Sequence, residues 1–168
     1  MTERYSLSRR VLHWLSAAVI LWATASGFTS ALATLPPVVE QTIGAFNVAL
    51  TLLFIPVFGL RLWLAVSGHK PSTPGLSRRQ QRTAAAGHWL IYSAVVLVLF
   101  SGFSMMERPM TVFGLFELAP WLPPSAATRF FSHLHHYSCA LLALLVAGHI
   151  AAVLLHQQRG VRVMSKML

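Results

Sequence analysis

Four long apolar segments alternate with short polar stretches along this chain. They cover about residues 11–33, 43–66, 86–106 and 131–156. Each has at least the roughly 20 residues that an α-helix needs to cross a bilayer core of about 30 Å. The pattern therefore predicts an all-α fold, an integral membrane four-helix bundle. We expect residues 1–168 to form a single four-helix transmembrane domain.

The composition points to the same class of protein. Hydrophobic residues make up 55% of the 168 residues and charged residues only 10%, whereas soluble domains contain about 25% charged residues. The first apolar segment ends at Ala31-Leu32-Ala33, which is similar to a signal-peptidase site. Because this segment is as long as a spanning helix, we expect it to remain as a helix rather than to be cleaved.

Basic residues are concentrated on one side of the predicted bundle. Of the 13 Lys and Arg residues, only Arg108 and Arg129 fall on the other side. By the positive-inside rule, both termini and the loop between the second and third helices are cytoplasmic. The net charge of +9 then reflects topology and attraction to anionic membrane lipid, not nucleic-acid binding.

A single cysteine, Cys139, lies within the fourth apolar segment. One cysteine excludes an intramolecular disulfide, a Cys-x-x-Cys-His haem attachment and a cysteine-based zinc site. We therefore interpret Cys139 as a small core residue rather than a reactive thiol.

Histidines at two depths of the fourth segment are the main candidate for chemistry. His135 and His149 are fourteen residues apart, which is close to four helical turns and roughly 21 Å of helix. Both imidazoles therefore share one face, in a stripe with Leu142, Val153 and His156. Two imidazoles placed in this way could hold two redox centres in series across a bilayer.

His13 is the best partner for His149, because the predicted orientation places both at similar depth on different helices. Small or apolar residues follow His13 on its face and leave room for a flat macrocycle: Ala17, Ile20, Thr24 and Gly27. Facing neutral imidazoles are typical axial ligands of an electron-transfer b-type haem. His88 stays open as an alternative ligand, and His69 and His133 are interpreted as interfacial residues.

Several short motifs occur in a characteristic order over nearly the whole chain: Tyr5-Ser6, His13-Trp14, Gly87-His88, Ile91-Tyr92, Gly102, Met105-Met106, Phe113-Gly114-Leu115, His135, Gly148-His149 and His156. Together they resemble the bacterial cytochrome b561 family, four-helix di-haem cytochromes of the bacterial inner (cytoplasmic) membrane. The resemblance implies an inner haem b held by His13 and His149. It also implies an outer haem held by His135 and a histidine of the second helix.

That second-helix histidine is missing from this chain. Arg61 resembles a basic residue at the inner end of the family's second helix. Relative to that residue, the place of the missing histidine falls on Asn47, and asparagine is a poor ligand for haem iron. Three outcomes stay open for the outer haem. In the first, the outer haem is absent. In the second, His135 alone binds it and one position on the iron stays open. In the third, His133 or His136 supplies the second ligand.

The resemblance implies electron transfer between the quinone pool, with ubiquinone as a candidate, and a redox partner protein. His156 could exchange a proton with a quinone, and the loop that contains Ser72 and Arg78 could add polar contacts. Arg61 and Arg10 could offset the charge of haem propionates.

Two alternative functions stay open. The first is an enzyme, a ubiquinone-linked superoxide oxidase similar to a member of the family, which takes electrons from periplasmic superoxide. The second is non-redox, either a histidine-lined metal transporter or a membrane anchor subunit, because imidazole also binds zinc, copper and nickel.

Overall fold

Four long helices dominate the computed structural model, which describes residues 4–67, 75–161 and 163–167. They are α1 Leu7–Leu32, α2 Pro37–Ser67, α3 Arg78–Ser104 and α4 Ala126–Gln158. Each is long and apolar enough to cross a membrane. The prediction of four apolar helices is confirmed, although α3 begins at Arg78 rather than near residue 86.

Local chemistry explains why the helices begin before their apolar segments. Pro37 is the first residue of α2, where its fixed φ suits a helix and its missing N–H costs nothing. At the start of α3, the Ser77 hydroxyl accepts a hydrogen bond from the Gln80 backbone N–H at 3.2 Å. The Gln80 side chain in turn accepts from the Ser77 backbone N–H at 2.8 Å. This capping box lets α3 begin in a polar stretch.

The helices pack as two antiparallel hairpins that share one core. α1 packs mainly along α2, and α3 along α4, whereas contact between α2 and α3 is slight. All four helices contribute to the buried cluster: Val19, Ile20, Phe54, Phe58, Ala94, Val95 and Leu142. Many large apolar side chains outside this core are exposed, among them Leu53 and Leu144, as expected for surfaces that meet lipid tails.

The two ends of the bundle differ in character. At the end that we call the basic end, α1 and α3 begin and α2 and α4 finish. A 3₁₀ turn, Met164–Lys166, lies there against the start of α1. The Tyr5 backbone N–H donates to the Lys166 carbonyl at 3.2 Å, and the Trp14 indole donates to the Met167 carbonyl at 2.9 Å. Burial raises the pKa of the Tyr5 phenol, although nearby Arg9 opposes the shift.

A short β-hairpin marks the opposite end, which we call the hairpin end. Strand β1 Met110–Val112 pairs antiparallel with β2 Phe116–Leu118 and packs against α2. Three residues, Phe113, Gly114 and Leu115, separate the paired Val112 and Phe116. Phe113 and Gly114 both have positive φ, 49° and 72°, as the two central residues of a type I′ turn require, and the Leu115 N–H donates to the Val112 carbonyl at 3.0 Å. Nothing in the apolar pattern predicted this hairpin, because its strands are only three residues long.

Candidate functional site

Three histidines from three helices lie together in the half of the bundle nearer the basic end. His13 of α1, His88 of α3 and His149 of α4 form what we call the three-histidine cluster. The ring centroids of His13 and His149 are 6.5 Å apart, and those of His88 and His149 are 5.2 Å apart. His13 and His149 are partly buried, whereas His88 is exposed.

The separation of His13 and His149 fits two axial ligands of one metal ion. Imidazole nitrogens bind transition metals at about 2 Å, and the centre of the ring lies about 1 Å behind the nitrogen. Two imidazoles on opposite sides of one ion therefore have centroids about 6 Å apart. His13 and His149 match this distance, whereas His88 and His149 are closer than it allows.

Arg61 of α2 connects the cluster to two other helices. Its Nη2 atom lies 3.1 Å from Nδ1 of His13, and its guanidinium carbon lies 5.4 Å from the ring centroid of Tyr92 in α3. Arginine has only donors, so Nδ1 of His13 accepts this hydrogen bond. The contact places a permanent positive charge beside the cluster.

His156 lies two helical turns beyond His149 on α4, about 10 Å further along the helix axis. Its Nδ1 atom is buried and has no hydrogen-bond partner within the described residues, and the same is true of Nε of Arg10. A buried polar atom without a partner costs free energy. Arg78 is exposed, and Ser72 and His69 lie outside the described residues.

His135, the predicted outer ligand, is held against α3. Its Nδ1 atom lies 3.1 Å from the Val98 carbonyl oxygen and 3.3 Å from the Ser101 hydroxyl. Its Nε2 atom lies 3.5 Å from the sulfur of Cys139. A Cβ added at Gly102 would lie 3.0 Å from Cε1 of His135, so a glycine is needed for this close approach.

Asn47 of α2 forms its side-chain hydrogen bonds with α1, whereas His135 of α4 contacts α3. The side-chain oxygen of Asn47 accepts hydrogen bonds from the Trp22 indole at 3.1 Å and the Ser26 hydroxyl at 3.0 Å, both on α1. The structure therefore does not bring Asn47 and His135 together by any hydrogen bond in the described residues. His133 and His136 are exposed.

A sequence profile described as prokaryotic cytochrome b561 matches residues 4–168. The chain belongs to this family. It is also 25% identical over 145 residues to cytochrome b561 homolog 2 of Escherichia coli (strain K12), across 80% of this chain and 74% of that protein. The resemblance drawn from the motifs is confirmed, and the protein is a bacterial membrane cytochrome of the b type that takes part in electron transfer.

The three-histidine cluster suits the b-type haem that a prokaryotic cytochrome b561 implies. Its imidazoles are the ligand type that b-type cytochromes use, and two of them come from different helices at a suitable separation. Within the described ranges, no group of three or more His, Cys, Asp or Glu side chains is arranged to hold a metal ion by itself.

The contacts of Asn47 and His135 were not predicted from the sequence of this cytochrome b561. Both depend on which neighbouring helix a side chain faces, and the apolar pattern does not specify this. One local signal was available at Ser101-Gly102, because adjacent small residues let two membrane helices approach closely. That signal predicts tight α3–α4 packing at His135.

Proposed function

We propose that this cytochrome b561 carries single electrons between a membrane quinone, with ubiquinone as the candidate, and a redox partner protein. The whole chain acts as one transmembrane domain, with a haem b held by His13 and His149. The observation that carries the proposal is the 6.5 Å separation of these two imidazoles on different helices.

When bound, haem would supply one-electron transfer, so the oxidation of one quinol, which releases two electrons and two protons, would need two such transfers. The residues of this chain fix where that happens. His13 and His149 would together hold the haem iron and would leave no position for oxygen. The guanidinium of Arg61 provides a positive charge that suits the haem propionates.

The distribution of charge supports an orientation in the bacterial inner membrane with the basic end on the cytoplasmic side. Arg9, Arg10 and Arg61 are at this end, as are Arg78, Arg79, Arg82 and Arg159. Positive residues are retained on the cytoplasmic side during membrane insertion. The haem proposed at the three-histidine cluster is then nearer to the cytoplasmic surface.

His156 is the candidate for contact with the quinone. Its buried Nδ1 atom has no partner in the described part of the chain, and a quinone carbonyl or quinol hydroxyl would supply one. Imidazole is the commonest proton acceptor in proteins that transfer protons, so His156 could take the proton that quinol oxidation releases. Its position two turns from His149 keeps the quinone close to the haem.

Haem content of single variants tests the ligand assignment. We expect His13→Ala and His149→Ala to lose nearly all haem in a pyridine haemochrome assay per mole of protein. His133→Ala is the matched control, because His133 is exposed near the other end of α4. Full haem content in both ligand variants would contradict the proposal.

Quinol oxidation tests the role of His156. We expect His156→Gln to keep its haem content and spectrum but to be reduced by a soluble ubiquinol at least tenfold more slowly. Gln157→Ala is the control, because Gln157 is the exposed neighbour on the same helix. Equal reduction rates in the two variants would remove His156 from the quinone site.

A further inference from the structure

The half of the bundle nearer the hairpin end contains the residues at which the family resemblance places a second haem. His135 is its only histidine candidate on the inward stripe of α4, and Asn47 stands at the α2 position. A haem iron is held by a side-chain atom with an available lone pair, usually the nitrogen of histidine, the sulfur of cysteine or methionine, or the oxygen of tyrosine.

Asn47 does not meet this requirement. Its amide oxygen accepts a hydrogen bond from the Trp22 indole and lies 3.0 Å from the Ser26 hydroxyl, whose single proton is shared with the Trp22 carbonyl at 2.8 Å. An amide is also not among the usual ligands of haem iron. Its NH₂ group is a donor and has no lone pair to offer a metal. Asn47 therefore acts as a polar link between α1 and α2 rather than as a ligand.

His135 is also committed to other partners. The Val98 carbonyl can only accept, so Nδ1 of His135 carries the proton and donates across 3.1 Å. The lone pair is then on Nε2, and the Cys139 thiol lies 3.5 Å from it in a position to donate. Donation from Nδ1–H to a carbonyl also orients histidines that ligate metals, so it does not by itself keep His135 from iron. A haem at this position would have to displace the Cys139 thiol from Nε2 and would find no second ligand on α2.

His136 cannot replace the missing ligand beside His135. The two ring centroids are 6.2 Å apart, but the residues are consecutive on one helix and point about 100° away from each other. Their nitrogens therefore cannot face one another across a flat macrocycle. His136 is also exposed and its Nδ1 lies 2.6 Å from the Ser132 carbonyl.

We infer that this cytochrome b561 holds a single haem, at His13 and His149, and that its other half is a hydrogen-bonded structural region with no haem. The inference rests on the proposed function for the first haem. It has a functional consequence: electrons enter and leave through the half nearer the basic end. The chain is then not a relay across the membrane, and the superoxide-oxidase alternative lacks a haem at the hairpin end.

The wild-type protein provides the first test. We expect one haem per chain by pyridine haemochrome, with a ferric EPR spectrum that is entirely low-spin and no binding of carbon monoxide after reduction. Two haems per chain, or a high-spin fraction that binds carbon monoxide, would overturn the inference and leave the proposed function intact. A purified protein without haem, even after growth with added haem precursor, would contradict both.

A matched pair of variants on α4 provides the second test. We expect His135→Gln to keep the full haem content and the same absorbance maximum, and His149→Gln to lose the haem. Loss of half the haem in His135→Gln would show a second haem at His135 and overturn the inference. If His135→Gln fails to fold, judged by gel filtration and far-ultraviolet circular dichroism, the wild-type haem count and spin state decide.

Discussion

The Nη2 atom of Arg61 donates a hydrogen bond to Nδ1 of His13 across 3.1 Å. Because Nδ1 accepts, the proton of the neutral His13 ring lies on Nε2. If Nε2 binds iron, that proton must move to Nδ1, where arginine cannot accept it. Arg61 must therefore turn away from His13 as haem binds, which leaves its charge near the haem but changes its partner.

Replacing Arg61 with Gln should lower the reduction potential of the haem. A positive charge disfavours the ferric state, and two unit charges about 10 Å apart interact by roughly 1.7 kcal/mol at an effective dielectric constant of about 20. A glutamine carbonyl could also accept from Nδ1 of His13, which strengthens His13 as a ligand. Both effects favour ferric haem, so we expect the reduction potential of Arg61→Gln to be tens of millivolts lower than that of the wild type in a redox titration.

Arg61→Lys is the control for that experiment, because it keeps the charge and removes the planar guanidinium. Its potential should stay closer to the wild-type value than that of Arg61→Gln. Equal potentials in the wild type and both variants would show that Arg61 is remote from the haem.

Replacing His88 with Ala should leave the haem in place. The His88 and His149 centroids, 5.2 Å apart, are too close for two ligands on opposite sides of one ion, and His88 is exposed. We expect unchanged haem content and a small shift in potential. If His88→Ala loses its haem while His13→Ala keeps it, the ligand is on α3 instead of α1.

Replacing Asn47 with Ala should destabilise the protein without changing its haem content. The change removes the acceptor for Trp22 and Ser26, and hydrogen bonds between membrane helices contribute about 1 kcal/mol each. Thermal unfolding in detergent should show a lower midpoint. Thr42→Ala is the control on the same helix, because the Thr42 hydroxyl donates to the Val38 carbonyl within α2. An equal fall of the unfolding midpoint in Thr42→Ala would show that the contacts of Asn47 with α1 do not stabilise the protein.

Alanine at Gly102 and at Gly44 should have opposite effects on stability. A Cβ at Gly102 would lie 3.0 Å from His135, whereas a Cβ at Gly44 would meet nothing within 4 Å. Overpacking costs about 1–3 kcal/mol, and alanine favours a helix over glycine by about 1 kcal/mol. We expect Gly102→Ala to lower the unfolding midpoint and Gly44→Ala to raise it, with the haem spectrum unchanged in both.

The sequence predicted those features that depend on one helix at a time. Apolar length located four helices, and the fourteen-residue spacing of His135 and His149 placed two imidazoles on one face of α4. Contacts between helices were harder to predict. Nothing local to Asn47 indicates that its amide faces Trp22, since that depends on the rotation of α1 against α2.

The β-hairpin escaped prediction for a different reason. Phe113 adopts a positive φ of 49°, which non-glycine residues other than Asn and Asp rarely do. Gly114 is the single residue of this turn that favours a positive φ. A short strand with one turn residue carries little signal next to apolar segments of more than twenty residues.

The slight contact between α2 and α3 has a consequence for how the protein is made. His13 belongs to the α1–α2 hairpin and His149 to the α3–α4 hairpin, so a haem bound by both would fasten one hairpin to the other. Without haem, the two hairpins are held together mainly by the shared core of apolar side chains. In cells starved of haem, we therefore expect the chain to resist proteolysis less well and its abundance, measured by immunoblot, to fall.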